Sequence, residues 1–107
     1  QFVALSATNH AKVYGMYPQK GTIAIGSDAD IAIWDPRKRV TISQSMLNHN
    51  CDYTPYEGME LKGYPVTVIS NGEVVAENGR PVGSSGKGKF IPRGKSSLVP
   101  SRHPFET

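Results

Sequence analysis

The sequence predicts a mainly β fold with one helix at its start and an irregular C-terminal tail. Three observations predict it. Apolar residues recur two apart in Ile23/Ile25 and Ile31/Ile33, on either side of a Gly26-Ser27-Asp28 turn, and that is strand periodicity. Two Asn-Gly pairs, Asn71-Gly72 and Asn78-Gly79, punctuate a later apolar stretch; both residues tolerate positive φ and make tight hairpin turns. From Gly83 onward the composition shifts to Gly, Ser and Lys, which builds linker rather than core.

Residues 2–17 read as helix. Phe2, Val3, Leu5 and Ala7, then Ala11, Val13 and Tyr14, give an amphipathic pattern with a break near Thr8-Asn9, where either residue can cap a new turn. Gly15 is the expected stop. The apolar stripe is already running at Gln1, so the helix reads as cut from something longer. Gly21 to Asp35 reads as a β-hairpin, with Asp35-Pro36 ending its second strand because Pro donates no ladder bond. Ala24, Ala32 and Trp34 make the other face apolar too, so these strands are expected to be covered on both sides.

Arg37-Lys38-Arg39 is expected to turn into a short strand, Val40-Thr41-Ile42. Residues 43–58 lack a steady period and read as a long irregular excursion, a class of loop that is usually functional or in contact with something. Met59, Leu61, Val66, Val68 and Ile69 mark the next strand, Glu73 to Glu77 another, and Arg80-Pro81-Val82 a last short one. Together they predict an antiparallel meander. Phe90, Ile91, Leu98, Val99 and Phe105 are scattered anchors in a polar tail.

With 107 residues and 37% hydrophobic content, the chain supports one small domain with a modest core. Eleven glycines and eight prolines make turns plentiful. Net charge is +3, and between Glu77 and Glu106 the charged residues are all basic: Arg80, Lys87, Lys89, Arg93, Lys95 and Arg102. The tail lacks the density and the stacking aromatics of a nucleic-acid arm, so a solvated or subunit-contacting tail is expected, with no nucleic acid and no membrane as partner. One cysteine, Cys51, excludes an internal disulfide and fits a reducing, cytoplasmic compartment. No secretory leader is expected from Gln1-Phe2-Val3-Ala4, and no stretch approaches the ~20 apolar residues of a membrane span.

Catalytic and metal-binding patterns are missing. His10, His49 and His103 stand far apart in sequence, without the local pair that zinc sites usually carry. Asp28 and Asp30 form a carboxylate pair, but the turn and the strand start explain both. Gly83-x-x-Gly86-x-Gly88 is followed by Phe90-Ile91-Pro92, not by the helix a phosphate loop needs. Tyr53, Tyr56 and Tyr64 cluster around the excursion, and aromatics with a polar tip suit subunit interfaces. Tyr53, Tyr56, Lys89, Phe90 and Arg93 are therefore the candidate subunit-contact residues; no catalytic, cofactor or metal residue is assigned.

Thr8-Asn9-His10-Ala11-Lys12, Gly15, Lys20-Gly21 and Gly26-Ser27-Asp28-Ala29-Asp30-Ile31-Ala32-Ile33-Trp34-Asp35 together resemble the C-terminal region of amidohydrolases. Asp52-Tyr53-Thr54-Pro55-Tyr56-Glu57-Gly58-Met59-Glu60 and Gly63-Tyr64-Pro65-Val66 narrow the resemblance to dihydropyrimidinases and D-hydantoinases, and Gly86-Lys87-Gly88-Lys89-Phe90-Ile91-Pro92-Arg93 is similar to their tail entry. The family pattern has Pro where this chain has His10, and residues after Arg93 follow no family pattern.

The resemblance implies a hydrolase that opens hydantoin or dihydropyrimidine rings, with a (β/α)8 barrel and a small β-sandwich built from both ends of the polypeptide. It implies two zinc ions bridged by a carboxylated lysine, all ligands lying upstream of this stretch. On that reading residues 1–17 are the last barrel helix, residues 18–83 the C-terminal half of the sandwich, and residues 84–107 a flexible or subunit-contacting tail. The expected partners are the remainder of the parent protein and neighbouring copies in a homotetramer. Two alternatives stay open: a non-catalytic scaffold of the same fold, like the collapsin response mediator proteins, and a free-standing β-domain that binds a partner through its basic tail.

Overall fold

In the computed structural model, residues 1–96 and Leu98 are described; the expectations for Val99, Arg102, His103 and Phe105 fall outside them. The chain divides into two compact units, one of Gln1–Ala29 with the described residues from Gly86 onward, the other of Asp30–Ser85. The mainly β expectation holds, with one antiparallel sheet and one short helical segment.

The helical segment opens with a π-helical turn, Ala4–Thr8, and continues as α1, Asn9–Val13. Contrary to expectation there is no break at Thr8-Asn9. The Asn9 N–H reaches back five residues to the Ala4 carbonyl, so the helix widens instead of restarting. Thr8 keeps helical dihedrals, and its hydroxyl caps no amide. Its Oγ1 instead donates to the Gly21 carbonyl at 2.7 Å. The stop is where the sequence places it: Gly15 has φ +69°, and the Met16 and Tyr17 amides fold back onto the Ala11 carbonyl at 2.8 and 3.1 Å.

Gly21 makes a tight junction with α1. Its φ is +86°, and a Cβ there would sit 2.5 Å from the Cβ of Ala11, a residue only 3% exposed. The following loop closes on itself through Asp28, whose amide donates to Gln19 O at 2.9 Å and whose Oδ2 accepts Gln19 Nε2 at 3.1 Å and pairs with Lys20 Nζ at 3.0 Å.

The first strand of the expected hairpin does not form. Residues 23 and 24 are irregular, Ile25-Gly26 is a turn, and Ile23 and Ile25 are 80% and 108% exposed. The residues meant to face them pair elsewhere. Strand β1, Ile31–Thr41, takes β2, Glu60–Ser70, as its partner, with Ile31 opposite Ile69 and Ile33 opposite Thr67. Strands β1 and β2 pair at eight positions interrupted by two register shifts, and cross-strand pairs accumulate along so long a ladder.

Nor does Pro36 end the strand. The register slips between Asp35 and Arg39, so the extra residues bulge out and pairing resumes with Arg39 opposite Lys62. A bulge is one of the few places where a sheet accepts proline. Inside it, Asp35 Oδ1 accepts the Arg37 amide at 2.9 Å. The expected Arg37-Lys38-Arg39 turn and the separate Val40 strand are thus parts of one strand.

Strand β3, Glu73–Glu77, and strand β4, Arg80–Pro81, complete the sheet in the order β1-β2-β3-β4. Asn71 and Gly72 have φ of 48° and 81°, Asn78 and Gly79 of 49° and 78°, so both meander turns are built as expected. The expected cover on both faces of β1 is not supplied by these residues: Ile33 and Trp34 are 48% and 47% exposed. Little is buried, and the only buried apolar residues among those described are Ala11 and Ile42.

Gly21 and Gly26 share positive φ but differ in surroundings, since nothing lies within 4 Å of a Cβ at Gly26. Gly21→Ala is expected to destabilise by ~2–4 kcal/mol through strain plus overpacking, and Gly26→Ala by ~1 kcal/mol through strain alone. Denaturant unfolding of each variant against the unsubstituted protein checks the difference; equal losses would contradict the Ala11 contact.

Candidate functional site

The irregular excursion, residues 43–58, is the candidate site because it is braced on one side and bare on the other. The bracing begins at its ends. The Ile42 amide donates to Met59 O at 2.9 Å and the Gly58 amide to Ile42 O at 2.8 Å, which ties the exit of β1 to the entry of β2. A short 3-10 turn, Gln44–Met46, follows Ser43. Its open first amide, Gln44 N–H, is taken by Glu57 Oε2 at 2.6 Å, and Gln44 Nε2 donates to Cys51 O at 2.7 Å. Orphan amides at the start of a helical turn need such acceptors.

Thr54 turns inward, 8% exposed, and its Oγ1 accepts the Tyr56 amide at 3.3 Å. Around it Tyr53 and Tyr56 stand outward, 66% and 57% exposed, with Met59 at 47%. A loop held by its own hydrogen bonds thus presents two tyrosines and a methionine to solvent, a composition enriched at protein interfaces.

The other candidates lie in the first unit. Lys89, Phe90 and Arg93 are exposed, Phe90 at 91%. Just beyond them the backbone is fastened to the end of α1: the Gly94 amide donates to Gly15 O at 2.8 Å, and Ser96 Oγ to Lys12 O at 3.2 Å. A Cβ at Gly15 would meet the Gly94 carbonyl oxygen at 2.1 Å. The candidates thus fall on two surfaces, Tyr53 and Tyr56 on one unit and the tail residues on the other. Sequence patterns gave no sign of the Gly15–Gly94 fastening, because neither glycine stands in a motif that specifies it.

No chemical centre assembles. Among the described residues no group of three or more His, Cys, Asp or Glu converges on a point that could hold a metal ion. His10 is exposed on α1, and His49 and Cys51 are exposed in the excursion. Asp28 is engaged by Gln19 and Lys20, and Asp30 Oδ1 accepts the Asn71 amide at 2.9 Å, so both carboxylates serve the fold. A shallow pocket of about 220 Å³ between the excursion and the sheet is lined by Met46, Leu47, Tyr64, Val66, Val68 and Pro81 among others, with no acid, His or Cys. No helix among the described residues is long and apolar enough to cross a membrane.

A profile of the amidohydrolase family matches residues 1–75. The sequence is 52% identical over 95 residues to a D-hydantoinase of Ralstonia pickettii, covering 89% of this chain and 21% of that protein. It is 48% identical over 93 residues to a dihydropyrimidinase of Rattus norvegicus, covering 87% and 18%. A solved D-hydantoinase structure superposes with a TM-score of 0.85 at 50% identity, over 89% of this chain and 21% of that one. The 107 residues thus span about a fifth of the length of the proteins they match.

Glu57→Ala is expected to free the Gln44 amide, raising its hydrogen exchange about tenfold, the worth of a charge-assisted bond of ~1.5 kcal/mol. Exchange of the β2 amides should stay unchanged. Unaltered Gln44 exchange in the variant would contradict the bracing.

Proposed function

The chain belongs to the amidohydrolase family, and from that we propose that it is the C-terminal part of a hydrolase that opens cyclic amides of the hydantoin or dihydropyrimidine type. The observation that carries the reading is the agreement of 52% identity to a D-hydantoinase with a 0.85 TM-score to a solved one. Fold and sequence follow those enzymes over nearly the same residues, while the length matched is a fifth of theirs.

On this reading the chemistry belongs to the remainder of the parent. The two zinc ions that the family resemblance implies would be held there, where they would supply a hydroxide and polarise the ring carbonyl. The role of the present residues is structural. Residues 1–17 supply a helix to the barrel, residues 18–83 part of a β-sandwich, and residues 84–107 a subunit-contacting tail in a cytoplasmic homotetramer. Tyr53, Tyr56, Lys89, Phe90 and Arg93 are the proposed subunit contacts, supported by their exposure. The lone, exposed Cys51 fits a reducing compartment.

The full-length parent is expected to open hydantoin or dihydrouracil, read as loss of ring absorbance, while the 107 residues alone give no turnover. A folded, zinc-loaded parent that opens neither ring would overturn the enzymatic reading. Removing residues 87–107 from the parent is expected to lower its sedimenting mass and leave bound zinc unchanged; an unchanged sedimentation profile would refute the role of the tail.

A further inference from the structure

The two Asn-Gly turns of the meander carry a chemistry that the hydrolase reading does not use. We propose that Asn78 and Asn71 are sites of spontaneous deamidation, and that Asn78 reacts first. In this reaction the backbone nitrogen of the following glycine loses its proton and attacks the asparagine Cγ. A new N–Cγ bond closes a succinimide, the Cγ–Nδ2 bond breaks, and Nδ2 takes up a proton and leaves as ammonia. Water then opens the ring to Asp or to isoaspartate, which puts an extra carbon into the main chain. Asparagine is among the thermolabile residues for this reason.

The structure leaves both nucleophiles accessible. Asn71, Gly72, Asn78 and Gly79 are all exposed. Nothing lies within 4 Å of a Cβ built at Gly72 or at Gly79, so the glycine side of each turn is open. The turns themselves hold the asparagines at φ of 48° and 49°, so reaction follows local opening of the hairpin, which is easiest where the flanking ladder is weakest.

The ladders differ. The Asn71 turn is closed by Ser70 opposite Glu73 and Ile69 opposite Val74, and the Asn71 amide is clamped by the Asp30 carboxylate at 2.9 Å. The Asn78 amide is held too, by the Val66 carbonyl at 2.8 Å, but its turn is closed by Glu77 opposite Arg80 and Ala76 opposite Pro81, where strand β4 is two residues long, ends on a proline that donates no ladder bond, and is followed by the Val82 and Gly83 amides on Val75 O at 3.0 and 3.3 Å. An isoaspartate in either two-residue turn breaks its geometry and so unpairs β3 from that side.

The test is peptide mapping by mass spectrometry of the full-length parent aged at mildly alkaline pH. Asn78 is expected to convert several-fold faster than Asn71, and both faster than Asn48 and Asn50, which are not followed by glycine. Asp30→Ala should accelerate Asn71 alone, and unfolding in urea should bring the two rates together. Conversion of Asn48 or Asn50 ahead of both turns, or equal native rates at Asn71 and Asn78 with no response to Asp30→Ala, would overturn the proposal.

Discussion

Residues 30–85 depend on one strand finding a partner on each side. Strand β2 pairs with both β1 and β3, and it meets β1 across the whole excursion, so the entropy of closing that loop must be recovered by the ladder it permits. Eleven-residue strands provide enough paired positions, and the bonds between Ile42, Gly58 and Met59 shut the loop at its neck. Once β2 is placed, the Asn71-Gly72 turn folds β3 onto it and the Asn78-Gly79 turn folds β4 onto β3. The bulge at Pro36 follows from the same priority: the strand yields locally so that pairing continues on both sides of the proline.

That pairing organises backbone, and it leaves side groups uncovered. Among the described residues the buried set is Ala11, Ile42 and Thr54, while Ile23 and Ile25 stand in solvent and Ile33 and Trp34 are about half exposed. Exposed apolar residues in this number mark surfaces that other protein covers. Their character differs by place. The bare Ile23 and Ile25 of the first unit are aliphatic, the composition of a domain core. Those of the braced excursion are Tyr53, Tyr56 and Met59, the composition of an interface. A polypeptide spanning one fifth of the enzymes it matches would hold such surfaces if the remainder of the parent covers one kind and a neighbouring copy the other.

Much of the second unit was legible in the sequence. Asn71-Gly72 and Asn78-Gly79 specify their turns by local chemistry alone, and β2 and β3 follow from the residues between and before them. The structural use of Asp28 and Asp30 was legible too, because a turn and a strand start explain both carboxylates. What misled was period two at Ile23/Ile25. Alternation says that a segment suits a strand; it does not supply a partner, and here Ile31 and Ile33 pair with β2. Asp35-Pro36 misled similarly, since proline stops a regular ladder but not a bulged one. The π turn at Thr8 was invisible, because its five-residue bond and the reach of Thr8 to Gly21 both depend on where the later loop lies. For the candidate site, exposure of Tyr53, Tyr56 and Phe90 agrees with the residue types, whereas the clamp of Glu57 on Gln44 is a contact across the loop that no local pattern encodes.

The central claim is that the apolar faces of these 107 residues are completed by the remainder of the parent protein. Residue-resolved hydrogen exchange of Ile23, Ile25 and strand β1 tests it most directly, measured in the full-length parent and in the isolated 107 residues. The expected result is strong protection in the parent and rapid exchange at the same amides in isolation. Equal protection in both, or free exchange at Ile23 and Ile25 in the parent, would contradict the claim.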